Sequence, residues 1–157
     1  MDKLSMSEKK THRTLILGIG NSSRQDDGLG WKFIDHLKEE DVEGLELDYR
    51  YQLQIEDAEL ISHFEKVIFI DATEESIEDG FYLKPCRKVE PTDLNSHSLH
   101  PETVSALCST VYGKYPKCLI LGIQGYQWEL KTGLSSGAKR NLERARSFFK
   151  TRHFVYL

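Results

Sequence analysis

Thr14-Leu15-Ile16-Leu17-Gly18 runs straight into Ile19-Gly20-Asn21-Ser22-Ser23-Arg24-Gln25-Asp26-Asp27-Gly28-Leu29-Gly30, and this junction decides the fold. The first part is a short, continuous aliphatic run, the pattern of a strand covered on both faces. The second is a glycine-rich turn that opens a helix, whose face is marked by Gly30, Phe33, Ile34 and Leu37. Two further aliphatic runs repeat the strand pattern, Val67-Ile68-Phe69-Ile70-Asp71 and Cys118-Leu119-Ile120-Leu121-Gly122. Leu45-Glu46-Leu47-Asp48-Tyr49 alternates, as a half-exposed edge strand does, and Phe81-Tyr82-Leu83 reads as a fifth strand ending near Pro85.

Helical patterns fill the intervals. A short helix is expected over Glu56 to Phe64. Val104, Leu107, Cys108 and Val111 define one face of another, which Gly113 terminates. Ala138, Leu142, Ala145 and Phe149 stripe a last helix capped by Ser135 or Ser136. His153 to Leu157 reads as a final strand or ordered tail, and Glu74 to Ser98 as mainly loops. Strands alternating with helices predict one α/β domain, a three-layer α/β/α arrangement around a twisted, mostly parallel sheet of about five strands. The expected domain spans residues 14–157, and residues 1–13 form a flexible polar tail.

Composition narrows the function classes. The chain has 157 residues, 39% of them hydrophobic and 29% charged, which suits a single globular domain with a full core. A net charge of −4 argues against a nucleic-acid surface. No apolar run approaches the ~20 residues of a membrane span, and Met1 to Arg13 lack the apolar centre of a signal peptide. A cytoplasmic protein away from the membrane is therefore expected. Cys86, Cys108 and Cys118 contain no C-x-x-C pair and read as reduced, mostly buried thiols.

In open α/β sheets, ligands collect beyond the carboxyl ends of the strands. Three groups of polar residues stand at such positions. After the first strand, a dinucleotide fingerprint would need a third glycine where Ser23 stands, and Asp26 and Asp27 would repel a pyrophosphate. No phosphate-loop Lys-Ser/Thr follows. Asp26 and Asp27 read either as caps of the following helix or as an acid pair with one carboxylate facing outward. Asp71 ends the most apolar strand; it reads as a cap or turn residue, or as a charge that requires water, a partner or a cation. Ser96-His97-Ser98-Leu99-His100-Pro101-Glu102 precedes the third helix, and its histidines read as solvated loop residues or as ligands. Two carboxylates and an imidazole converging from separate strand ends would suit a divalent transition metal and leave open positions for a substrate group. No H-E-x-x-H, G-x-S-x-G or neighbouring Cys–His pattern is present, so no covalent intermediate is expected.

Over about Thr14 to Ala145, the sequence resembles the hydrogenase maturation proteases, a family of nickel-dependent processing endopeptidases. The resemblance rests on Gly18-x-Gly20-Asn21-x-x-Arg24-x-Asp26-Asp27-Gly28-x-Gly30, on Val67-Ile68-Phe69-Ile70-Asp71-Ala72 and on Ser96-His97-x-Leu99-x-Pro101-Glu102. Gln52-Leu53 and Gly133-Leu134-Ser135 add to it. It implies that Asp27, Asp71 and His97 bind metal, with Asp27 and Asp71 also catalytic, while Gly20, Asn21, Asp26 and Gly28 shape a substrate loop; His100 is a rival to His97. It implies an α/β/α endopeptidase that removes the C-terminal extension of a nickel–iron hydrogenase large-subunit precursor after nickel insertion. The nickel would belong to the substrate, with no organic cofactor, and the enzyme would act as a monomer. The alternatives are a non-cleaving metal-binding or chaperone-like module and a nucleotide-binding α/β protein. Ser22-Ser23, Trp31, Gln54-Ile55-Glu56 and Gly125-Tyr126-Gln127-Trp128 depart from the family pattern and bear on partner choice.

Overall fold

The computed structural model describes residues 14–91 and 99–153, with the side chains of residues 152 and 153 excluded. The expected tail at 1–13, the histidine candidate His97 and the expected closing segment Phe154 to Leu157 lie outside the described residues.

Five strands form one sheet: β1 (Thr14–Ile19), β2 (Leu45–Arg50), β3 (Lys66–Thr73), β4 (Phe81–Pro85) and β5 (Lys117–Gln124). Their order is β2-β1-β3-β5-β4; β4 alone runs antiparallel, against β5. The helices are α1 (Leu29–Glu40), α2 (Glu56–Ile61), α3 (Pro101–Leu107) and α4 (Ser136–His153).

Alternate residues along each buried strand feed two cores, because successive side chains point to opposite faces. Ile16, Ile68, Ile70, Leu119, Leu121 and Ile123 pack with Phe33, Ile34 and Leu37 of α1 and Ala138, Leu142 and Phe149 of α4. On the other face, Leu15, Leu17, Val67 and Phe69 pack with Ala58 and Ile61 of α2 and Val104 and Leu107 of α3. The result is the expected three-layer α/β/α domain. No helix among the described residues is long and apolar enough to cross a membrane.

Three local expectations are corrected. The second helix stops at Ile61, and Ser62, His63 and Phe64 close it through turn hydrogen bonds to Glu59, Leu60 and Ile61. The third helix widens into a π-turn over Cys108–Tyr112 before ending at Gly113, whose φ of 64° needs glycine's freedom. The wider turn rotates Val111 off the buried stripe, leaving it 61% exposed. Neither Asp26 nor Asp27 caps α1, which is preceded by a 3-10 turn over Gln25–Gly28 and has no side-chain cap bond.

Candidate active site

Glycine spacing seats α1 directly on the sheet. A Cβ on Gly30 would lie 2.6 Å from the Ile70 carbonyl oxygen and 2.7 Å from that of Ile19; one on Gly18 would lie 2.5 Å from the Gly30 oxygen. Only glycine permits this approach of helix to backbone, and it sets the preceding 3-10 turn against the end of β3. At Gly20, φ is +143°, and a Cβ would fall 2.0 Å from the Asp27 carbonyl oxygen. That oxygen accepts the Asn21 N–H at 3.0 Å, while the Gly20 N–H donates to the Arg50 carbonyl at the end of β2. Asn21 Oδ1 accepts the Ser23 N–H at 2.8 Å, an Asx turn that completes the loop. Gly28 lets the chain pass Ser22, since its Cβ would stand 2.9 Å from the Ser22 Cα.

The adjacent acids of the loop have opposite environments. Asp26 is fully buried. Its Oδ2 accepts hydrogen bonds from the N–H groups of Tyr126 (2.7 Å) and Gln127 (3.0 Å) and from the Ser135 hydroxyl (2.7 Å), and its Oδ1 accepts the Ser135 N–H (2.8 Å). Burial works to raise its pKa, but the bonds from Ser135, Tyr126 and Gln127 outweigh it and hold the carboxyl below its usual value. Ser135 in turn accepts the Ala138 N–H at the start of α4. Asp26 thus ties the opening loop to the segment between β5 and α4. Gln25, in a left-handed conformation (φ 49°), reinforces the tie through bonds to Gln127, Glu129 and Lys131.

Asp27 is partly exposed, and Asp71 lies near the carboxyl end of β3. Burial raises the pKa of Asp27, opposed by the charge of Arg24 and a backbone bond from Asn21. Asp71 is pushed up to about 7, chiefly by burial and further by the charge of Asp27, against a lowering bond from the Ala72 N–H. Asp27 thus lies close enough to Asp71 for its charge to disfavour ionisation there. Asp71 belongs to β3 itself; it caps no helix.

The structure therefore places Asp27, on a loop braced by Gly20, Asn21, Asp26 and Gly28, within electrostatic reach of Asp71 near the carboxyl end of β3. His97 lies outside the described residues, and among the described residues no three His, Cys, Asp or Glu side chains form a metal-sized group. His100 is exposed at the start of α3, where its carbonyl accepts the Thr103 and Val104 N–H groups. Leu99 bridges Leu53, just beyond the carboxyl end of β2. An aromatic group sits at the carboxyl end of β2: the Trp31 indole N–H donates to the Arg50 carbonyl, and its ring contacts Tyr49 and the exposed Tyr51.

The braces from Tyr126 to Ser135 escaped the sequence reading. The available signal was Gly125, whose absent side chain leaves room for Asp26 Cβ, 2.7 Å from where a Cβ would stand.

No family model matches the sequence, and no curated protein matches it. Solved structures do. A hydrogenase maturation protease, HycI from Thermococcus kodakarensis, is 25% identical with a TM-score of 0.61, covering 88% of this chain and 90% of that one. The hydrogenase maturating endopeptidase HybD from E. coli is 18% identical with a TM-score of 0.64, covering 92% and 94%. A hydrogenase 2 maturation peptidase from a Thaumarchaeota archaeon is 19% identical with a TM-score of 0.64, covering 90% and 98%. Fold and site together define an α/β/α protein with an acidic notch at the carboxyl edge of its sheet. More narrowly, its architecture is that of the hydrogenase maturation proteases, the group of structures with which this chain aligns over nearly its whole length.

Proposed function

We propose that this chain is a hydrogenase maturation endopeptidase, which removes the C-terminal extension of a nickel–iron hydrogenase large-subunit precursor once nickel is in place. The observation that supports this reading is the electrostatic proximity of Asp27 to Asp71, on a fold shared with maturation endopeptidases. His97 supplies the third donor. It belongs to the Ser96-His97-x-Leu99 motif that carries the family resemblance.

Two carboxylates and one imidazole suit a divalent transition metal borne by the substrate, with coordination positions shared between the two proteins. Repulsion between Asp27 and Asp71 disfavours the doubly ionised notch until a cation joins it. A precursor without nickel offers no such ion, so recognition doubles as a check on loading. With the precursor held, either Asp27 or Asp71 serves as general base, taking a proton from the water that attacks the scissile carbonyl. Asp26 keeps the loop in place and does not face the substrate. The reading implies a cytoplasmic enzyme that works as a monomer with no organic cofactor.

The test is incubation of the purified chain with nickel-loaded and nickel-free precursor, followed by intact-mass measurement. Loss of the extension from the loaded precursor alone is expected. Tight binding without a mass change would replace the enzyme with a non-cleaving assembly module.

A further inference from the structure

At the other end of the sheet, the strand register places two cysteines side by side. The β4–β5 ladder pairs Phe81 with Ile123 and Pro85 with Leu119, so its next rung sets Cys86 opposite Cys118. The Cys86 N–H donates to the Cys118 carbonyl at 2.9 Å, as the Gln124 N–H does to the Gly80 carbonyl at the far end of the ladder. These are hydrogen-bonded rungs, at which Cα atoms stand about 5.5 Å apart and opposed side chains share a face. That separation lies within the range a disulfide spans. Both cysteines line a cavity of about 500 Å³ with Ser105, Lys88 and Lys114 on its walls. The site is remote from the acidic notch: Cys118 precedes Gly122, the rung beside Asp71, by four residues, roughly 13 Å along the strand.

We propose that Cys86 and Cys118 form a dithiol modification site, which exchanges with a small-molecule disulfide to close a cross-strand disulfide within the chain. The neighbouring Cys86 thiol is the main cause holding Cys118 below its usual pKa, helped by Ser105 and opposed by burial. In this proposal Cys118 is the attacking thiolate. It displaces one thiolate from the reagent and forms a mixed disulfide. Cys86 then gives its proton to solvent, and its sulfur attacks Cys118 and expels the second thiolate. Two protein thiols are oxidised and one reagent disulfide is reduced to two thiols, so atoms and electrons balance. Cys108, the third free cysteine, stays outside this chemistry: it is fully buried, donates to the Lys114 carbonyl, and is pushed up to about 11, first by burial and then by the charge of Cys118.

The experiment is incubation of the folded, full chain with excess oxidised glutathione, followed by thiol titration and peptide mapping under non-reducing conditions. The expected result is a fall from three free thiols to one, with the Cys86 and Cys118 peptides linked and no retained glutathione, and with the same link in Cys108→Ser. Cys86→Ser should stop at a glutathione adduct on Cys118. Three thiols that stay free, a link through Cys108, or a stable wild-type adduct would overturn the proposal.

Discussion

The carboxylate of Asp26 holds Ser135 twice, accepting its N–H at 2.8 Å and its hydroxyl at 2.7 Å across 109 residues of chain. This contact ties the opening loop to the start of α4, and it assigns neighbouring acids different tasks. Asp26 is a structural charge, while Asp27 is left to face the notch.

Asp26→Asn is expected to destabilise the fold by about 2–3 kcal/mol, because an amide turns N–H groups toward donors that need an acceptor. Ser135→Ala should cost about 1–2 kcal/mol, through the lost hydroxyl bond and helix cap. Urea denaturation of both variants beside Asp27→Asn checks this. Asp27→Asn, whose group is partly exposed and repelled by Asp71, should leave the midpoint unchanged or higher.

The pH dependence of Asp71 has a definite sign. Its folded pKa, about 7, lies well above the ordinary carboxylate value, so the folded state favours the protonated acid. Stability from this group is present below its unfolded pKa and declines as pH rises to about 7. In the absence of any precursor, Asp71→Asn should therefore stabilise the fold at pH 8 by on the order of 2 kcal/mol, seen as a raised melting temperature, and change it little near pH 4. Thermal melts at the two pH values measure the difference. An equal shift at both would contradict the burial and repulsion argument.

Gly30→Ala tests how α1 is seated. Its Cβ would meet two backbone oxygens, at 2.6 and 2.7 Å, and neither can move without disturbing β1 or β3. A loss of about 3 kcal/mol or more, or failure to fold, is expected. Gly113→Ala is the comparison: its Cβ meets nothing within 4 Å, and only the positive φ carries a cost of about 1–2 kcal/mol. Equal effects in denaturation midpoints would remove the steric account.

The pattern of what was legible follows from locality. β1, β3 and β5 were readable because burial on both faces makes a strand continuously apolar, and α4 because its stripe faces one core throughout. Asp27 and Asp71 were readable as candidates because the carboxyl ends of parallel strands share one edge. The π-turn that exposes Val111 was hidden, since the residues around it fit an ordinary helical stripe equally well. The role of Asp26 was hidden for a different reason. A local reading gives an acid before a helix to that helix, whereas its partners arrive from Tyr126 to Ser135.

The central claim is tested most directly by processing of nickel-loaded precursor by the wild type, Asp27→Asn, Asp71→Asn and His97→Ala, each first shown to be folded by circular dichroism. The account predicts that every variant loses at least about 100-fold in cleavage rate. Folded Asp71→Asn and His97→Ala proteins that trim the precursor at the wild-type rate would contradict it.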